Sequence, residues 1–553
     1  MYKKFTNLQK LSSYLTYTIS LAFKKYPGIY FLILGSIFSI IAEFSSIYLV
    51  TKIANLDRIK IYDITILITP INFLLLFVGL LLLRFISLFL IESLSIYYAK
   101  ELQVYFSTTA FDKILHINLK TTEKEEVGHY ISFAGDEASN ASQIIISFIT
   151  ILNNIILILA YFLLIMIYSY DLLLFIFTLL LLLLISFKQI YTYTFYLSEL
   201  QASLRRKSNS IFIDSINSLR MIKAFSIEDH MTEKYKNILQ PYCTVNSKLT
   251  TLNIFGKYFP LVILLVFFLV YYYIILCSNY TLTIASIMTS LFILLRLLQA
   301  LGVLASTFGK ILGELKGTIR IIDFLNKKIP HVKTKKIEER INSIIFDNIS
   351  FFYGKSAVFQ NFNFQFERKK SYAIVGRTGS GKSTLLDLIM DFNTPTKGKV
   401  FINGVSTHEL DEKSLANRIL YISQESIVFN DTIRNNLEIN QYYTQEQIEK
   451  SLKICCLHDS VAALDNGLEH MLHYRGTNLS GGEKQRLNIA RALLREPDVL
   501  ILDESVNALD EKTRHQLVKN IISEFQDKIL IFVTHDKDIL TFVDTVIDLD
   551  NFE

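Results

Sequence analysis

The sequence predicts an α-helical transmembrane domain of six spans with long helical extensions outside the bilayer, followed by a separate α/β domain. Three observations predict this. Hydrophobic residues fill 51% of the 553 positions and charged residues 19%, with a mean hydropathy of +0.35, too apolar for a soluble multidomain protein. The excess is uneven, since no Asp, Glu, Lys or Arg interrupts Tyr26 to Ala42, Ile64 to Leu83, Ile144 to Tyr170, Leu172 to Phe187 or Tyr258 to Leu295. Most of these runs can cross a hydrocarbon core of about 30 Å as helices, and none recurs beyond Lys327. From Ile344 the texture changes to short β-rich runs alternating with helical stretches. A purely soluble enzyme, a disordered chain and a collagen-like chain are excluded.

The six spans are expected at Pro27 to Ile53, Ile64 to Tyr98, Ser142 to Tyr168, Leu172 to Phe195, Ile254 to Cys277 and Leu282 to Thr307. The loops at Ser169 to Asp171 and Ser278 to Thr281 are short, whereas Ala99 to Ala141 and Ser198 to Asn253 are long and polar. The second long connection carries eight basic residues and the first 25 residues five lysines; the two tight loops carry none. By the positive-inside rule both termini and both long loops are cytoplasmic, in a cell's inner membrane. Apolar residues at three- and four-residue spacing make Tyr97 to Leu115 and Ser208 to Tyr235 helical. Lys3, Lys4 and Lys10 precede a first apolar run long enough to be retained, so no cleaved signal is expected.

The net charge of +5 suits a membrane surface and gives no reason to expect nucleic acid. Cys243, Cys277, Cys455 and Cys456 show no metal-ligand or disulfide spacing. Residues 326–340, charged and containing Pro330, are expected to link a membrane domain at 1–325 to an α/β domain at 341–553.

In that second domain Ser371 to Val375 is a buried strand running into Gly376-Arg377-Thr378-Gly379-Ser380-Gly381-Lys382-Ser383-Thr384, which matches GxxxxGK[ST] before a helical pattern at Leu385 to Met390. Glycines let the backbone curl so that successive N–H groups face phosphate oxygens, and the helix adds its positive end. Lys382 is placed to reach the β- and γ-phosphates, and the Ser383 hydroxyl to ligate Mg²⁺. A plain glycine turn is the bland alternative. It loses ground once Val499-Leu500-Ile501-Leu502-Asp503-Glu504 is added: four apolar strand residues deliver Asp503 to the metal side, and Glu504 can orient and deprotonate a water. A P-loop ATPase domain with a helical subdomain is expected.

Between these motifs lies Leu479-Ser480-Gly481-Gly482-Glu483-Lys484-Gln485-Arg486, and here the sequence resembles the ATP-binding cassette (ABC) transporters. The resemblance implies that Ser480, Gly481, Gly482 and Glu483 meet the γ-phosphate of ATP held by a partner subunit, so that ATP joins two cassettes head to tail. It implies further that Tyr353 stacks on adenine, that Gln424 senses Mg²⁺ and that His535 meets the γ-phosphate, while Asn507 to Asp510 cross the dimer interface. Alone, such an aromatic or histidine would more often be structural. Gly128 and Asp136, after the polar turn Leu119 to Glu126, fall where such proteins have a first coupling helix, and Leu219 to Phe225 looks like the second. Departures are His473-Tyr474 before the signature, Asn507 for the usual Ser, and Thr534 and Asp536 beside the histidine; none touches phosphate, metal or water.

Six spans plus one cassette resembles an exporter-type half-transporter, which implies an ATP-driven exporter or lipid flippase working as a homodimer. A heterodimer is the variant. Non-transporting relatives, soluble chromosome or ribosome ATPases or a channel regulator, fit the six spans and the two-domain layout less well. Ionisable residues inside spans are costly, so Glu43, Arg84, Glu92, Lys188, Lys257 and Arg296 need explanations. Arg84, Lys257 and Arg296 can hold an anionic headgroup, as in a lipid-linked saccharide, and the layout is loosely similar to bacterial lipid-linked oligosaccharide flippases. Neutralisation by Glu43 or Glu92 is the alternative, and peptide or hydrophobic drug the alternative cargo.

Overall fold

A computed structural model describes residues 2–54, 59–61, 64–66, 70–117, 127–168, 171–277, 284–327, 335–473 and 476–551. The expected turn at 119–126, most of the two tight loops, much of the linker, and Tyr474 lie outside the described residues. The chain divides into two compact units, one ending at Lys328 and the other running from Ile329.

The first unit is helical. Helices α1 (Tyr2–Lys25) and α2 (Ile29–Ala54) precede a small hairpin, β1 (Ile59–Ile61) with β2 (Ile64–Ile66). Helix α3 (Pro70–Leu115) follows, then α4 (Val127–Ser132), a π turn at Phe133–Glu137 and α5 (Ala138–Tyr168). Helices α6 (Asp171–Asn217), α7 (Leu219–Phe225), α8 (Glu228–Cys277) and α9 (Ile284–Asn326) complete it. Among the described residues, Ile29–Ser46, Leu74–Leu115, Gly128–Leu164 and Phe292–Asn326 are long and apolar enough to cross a membrane. The side chains of 165–191 and of most of 274–291 lie outside the described set.

In α2, hydroxyls that would be costly in lipid fold back on their own helix: Ser36 donates to Leu32 O at 2.9 Å and Ser46 to Glu43 O at 2.6 Å. The second span starts at Pro70 and not at Ile64. The alternating, β-branched Ile64-Thr65-Ile66 pairs as a strand, and Pro70, lacking an N–H, suits only the first turn of a helix. Helix α3 then runs unbroken through Leu115, about 69 Å at 1.5 Å per residue, so the expected rod at 97–115 is its outer half. The stretch 208–235 is helical as expected, in three pieces, the middle one coinciding with the Leu219 to Phe225 segment named from the sequence. Helix α6 stops at Asn217 and α7 stands alone, because Ser226 turns left-handed at φ 52° and Ile227 N closes back on Ile222 O at 3.1 Å.

Helix α9 meets α8 closely: a Cβ on Gly302 would lie 2.3 Å from Lys257 O, so only glycine fits. Its last turn is fastened. Lys113 of α3, buried, donates to Leu325 O at 2.7 Å and to Lys327 O, and Tyr14 of α1 donates to Asp323 Oδ1 at 2.5 Å. Phe133 stacks on Phe324 with ring centres 4.3 Å apart, in a core that includes Ala22, Leu102, Phe106 and Ile145.

The second unit holds two sheets. The antiparallel one runs β4 (Ser356–Glu367), β3 (Ser343–Tyr353), β6 (Lys397–Ile402), β7 (Val405–Ser406). The parallel one runs β11 (Thr545–Asp548), β5 (Lys370–Val375), β10 (Ile529–Val533), β9 (Val499–Asp503), β8 (Ile419–Ile422). All five residues of β10 are buried, as a central parallel strand covered on both faces requires. Helix α10 (Lys382–Ile389) leaves β5, and α11 (Glu412–Arg418) leads into β8. A helical part follows with α12 (Ile433–Glu438), α13 (Gln445–Ile454), α14 (His458–Ala462) and α15 (Gly481–Leu494). Helices α16 (Glu511–Glu524) and α17 (Lys537–Leu540) connect the last strands. In a parallel sheet the C-terminal strand ends are where ligands bind, and β5, β9 and β10 deliver the glycine loop, Asp503 and His535 to that edge.

Candidate functional site

The chain leaves β5 through Gly376 to Gly381 and enters α10. Gly381 sits at φ +99°, and a Cβ there would lie 2.6 Å from Val358 Cγ1, which is why the motif tolerates nothing larger. Ser380 Oγ is buried with no hydrogen-bond partner. Lys382 Nζ donates to Gly376 O at 2.5 Å and to Arg377 O at 3.2 Å, and lies 3.2 Å from His535 Nε2. An ammonium, an orphaned hydroxyl and the N–H groups of a helix start suit a polyphosphate. The neighbouring Thr378 and Gly379 are exposed, and Thr384 is buried beneath them.

Glu504, just past β9, adopts φ 49°, a left-handed conformation that costs a side-chain-bearing residue about 1–3 kcal/mol and is found at functional sites. Its N–H bonds Val533 O at 3.0 Å, and its carboxylate accepts from Gln424 Nε2 at 2.9 Å and lies 3.9 Å from His535 Nε2. Lys382, His535, Glu504 and Gln424 are thus one connected set. Asp503 Oδ2 accepts from the Tyr421 hydroxyl at 2.8 Å. Burial pushes the Asp503 carboxyl above its ordinary range against the pull of the Tyr421 hydrogen bond, while burial and then the Asp503 charge raise the Tyr421 phenol, which stays a donor. Among the described residues no hydrogen bond engages Asp503 Oδ1 or the exposed Ser383 hydroxyl. These are hard oxygen donors of the kind Mg²⁺ takes together with phosphate and water.

The departures beside His535 have a local reason. Buried Thr534 accepts from Asp536 N at 3.0 Å, and Asp536 caps α17 and pairs with Arg514 Nη1 at 3.1 Å, so the turn carrying the histidine is held from both sides. Tyr353 ends β3 with its ring 52% exposed and edge-on to Phe351 at 5.0 Å, open to a stacking base.

The signature forms a second group. Ser480 caps α15: its Oγ accepts from Glu483 N at 3.2 Å, and Glu483 Oε2 accepts from Ser480 N at 2.8 Å. The Ser480 hydroxyl, donating to Glu483, holds that carboxyl below its usual range. Gly481 and Gly482 follow at the helix start, and Gln485 accepts from Ala508 N at 3.3 Å. Among the described residues, no hydrogen bond or ion pair joins this group to the Lys382 set.

In the first unit, Glu43 of α2, with a side chain 4% exposed, faces Arg84 Nη2 at 2.9 Å and Arg296 Nε at 3.7 Å, and accepts from Tyr161 OH at 2.5 Å. Of the three cations named from the sequence, Arg84 and Arg296 gather on Glu43, as the alternative reading had it, while Lys257 is exposed with its ammonium 5.3 Å from the Tyr258 ring centre. Two guanidinium groups on one carboxylate lower the cost of all three in an apolar bundle. Glu92 is exposed and takes no part, and the Lys188 side chain lies outside the described residues. Of the coupling segments, Asp136 pairs with Arg205 at 2.6 Å and buried Glu137 with Arg320 at 2.7 Å, while Gly128 packs on Ser210. Helix α7 exposes Leu219, Met221 and Phe225.

Sequence reasoning missed Tyr421, Asp550, whose Oδ2 accepts from Arg377 N at 2.7 Å, and Tyr161. A tyrosine inside an apolar strand or span is itself a signal, since its buried hydroxyl needs a partner.

Helices that span a membrane, joined to an α/β unit with a glycine phosphate loop, a carboxylate-tipped strand and a serine-capped signature helix, define a membrane protein with a nucleotide-binding cassette. The chain belongs to the ABC transporter family: the profile of the ABC transporter transmembrane region matches residues 28–299 and that of the ABC transporter domain residues 359–507. It is similar to an ATP-dependent lipid A-core flippase of Blochmanniella pennsylvanica, 31% identical over 49% of this chain and 46% of that protein. It is also similar to the multidrug resistance-like ATP-binding protein MdlA of Buchnera aphidicola, 30% identical over 60% of this chain and 58% of that one. The matches therefore span about half the length of these relatives. A bacterial Atm1-family ABC exporter solved with ATP bound shares the fold, with a TM-score of 0.79, 20% identity and coverage of 95% of this chain and 93% of that one.

Proposed function

We propose that the protein hydrolyses ATP to move an amphiphilic anion out of the cytoplasm or inner leaflet, as a homodimer in a cytoplasmic membrane with its termini and cassette inside the cell. The observation that carries this is the connected set Lys382, His535, Glu504 and Gln424 at the sheet edge. Lys382 and the loop N–H groups bind the phosphates, and Tyr353 stacks on the base. Ser383, Asp503 and Gln424 would hold Mg²⁺, which would supply neutralisation of the phosphate charge. Glu504, oriented by Gln424, takes a proton from water whose oxygen attacks the γ-phosphorus; ADP leaves, and His535 holds the γ-phosphate oxygens.

The separation of the Ser480 group from this set supports a second copy as the donor of the signature. Mixing equal amounts of Lys382→Ala and Ser480→Arg chains, once exchange is shown, is expected to make about half of the dimers mixed, each with one intact site, and so to restore about a quarter of the trapped nucleotide of wild type. A mixture no better than either parent would sink the composite site. The exposed apolar face of α7 and the Gly128–Asp136 segment are the parts of the first unit proposed to carry the effect of hydrolysis to the spans.

The anionic cargo, with a lipid-linked saccharide as the example, rests on the Glu43 cluster: one carboxylate against two guanidinium groups leaves a net positive charge, and Arg84 Nε is buried without a partner. ATPase activity in proteoliposomes is expected to rise with a polyprenyl-pyrophosphate sugar, and less so in Arg84→Lys, which loses the fork but keeps the charge. Stimulation by uncharged drugs or peptides alone, equal in both proteins, would replace this cargo with theirs.

A further inference from the structure

Tyr421 lies in β8, whose parallel register with β9 sets Tyr421 against Ile501 and Ile422 against Leu502. One strand's phenol therefore stands beside the carboxyl end of the next, and its hydroxyl donates to Asp503 Oδ2 at 2.8 Å. The torsion that turns a carboxylate about its Cβ–Cγ bond is broad and roughly two-fold, so an aspartate at a strand tip has no preferred plane of its own. Tyr421 supplies one. It commits Oδ2, and among the described residues no hydrogen bond engages Oδ1. The ring is half-buried, whereas Ser383 and Gln424, the other proposed metal-side donors, are more open to solvent on either side. Of these three, Asp503 is held by Tyr421 and Gln424 by Glu504, and Tyr421 is the partner that is not itself one of the groups proposed to meet nucleotide, metal or water.

We infer that Tyr421 is a positioning residue: by holding the Asp503 carboxylate in one plane it presents a single oriented oxygen to the divalent cation that accompanies ATP. This rests on the ATPase reading above. Plain adhesion between the two strands is the competing role, but β8 and β9 already share a ladder from Ile419 to Ile422, and a phenylalanine ring would keep the packing. Groups one step behind a metal ligand typically change metal affinity about 10–100-fold when removed.

The test uses the full-length protein purified in detergent, wild type against Tyr421→Phe. Binding of a fluorescent ATP analogue is measured in EDTA, and Mn²⁺ binding to the nucleotide-loaded protein is followed by electron paramagnetic resonance with nucleotide-only controls. Equal nucleotide affinity in EDTA, with the Mn²⁺ concentration for half-saturation raised about 10-fold in Tyr421→Phe, is the expected result. Turnover at saturating Mg²⁺ should then recover towards wild type, a split that a damaged fold would not give. An unchanged Mn²⁺ half-saturation overturns the positioning role, and so does a loss of nucleotide binding in EDTA as large as the metal effect, which would mark Tyr421 as packing. If the wild type itself binds nucleotide without any Mn²⁺ dependence, the ATPase reading fails first and this inference falls with it; a normal wild type beside a normal Tyr421→Phe defeats the inference alone.

Discussion

Replacing Glu504 by Gln is expected to lower ATP turnover about 10²–10⁴-fold, the usual share of a general base, while ATP stays bound. Gln keeps the length of the side chain and can still meet Gln424 Nε2, which now donates to Glu504 Oε2 at 2.9 Å, but it accepts no proton. The backbone of residue 504 keeps its left-handed turn, because that is set by the bond from its N–H to Val533 O. The phosphate loop is untouched. Nucleotide retained after rapid desalting should therefore rise as turnover falls, whereas Lys382→Ala, which removes the ammonium at the loop, should lose both. Near-wild-type hydrolysis by purified Glu504→Gln would overturn the assignment of the base.

Removing Glu43 is expected to be the most damaging change in the membrane unit. The Ala variant leaves Arg84 and Arg296 facing each other without their carboxylate and strands the Tyr161 hydroxyl, and breaking a buried pair by taking one partner costs about 3–5 kcal/mol. Apparent melting in detergent at a fixed scan rate should fall sharply. A triple variant, Glu43→Leu with Arg84→Met and Arg296→Leu, should recover much of the loss, since apolar groups of similar volume need no partners. An unchanged melting temperature in Glu43→Ala would show that the cluster bears no weight.

The fold of the cassette was legible because its motifs are contiguous: the loop at 376–384, the strand ending at Asp503 and the signature at 479–486 each carry their own spacing. The intramembrane cluster was legible only as residue types. Glu43, Arg84 and Arg296 are far apart in sequence, and whether two cations share an anion or face a cavity depends on helix rotation, which hydropathy does not encode. The start of the second span was misjudged for a related reason: an apolar run such as Ile64 to Leu83 does not announce whether its first turn is helix or strand, and Pro70 was the sign to weigh.

The fastening of the last turn of α9 has a mechanical consequence. Helix ends ordinarily fray, and a connection that leaves a frayed end loses the first part of any displacement to slack. Here Lys113 grips the final carbonyls and Tyr14 grips Asp323, so the end of α9 cannot shift without moving α1 and α3. A displacement of that end is then shared by three helices and not lost in the unravelling of one turn.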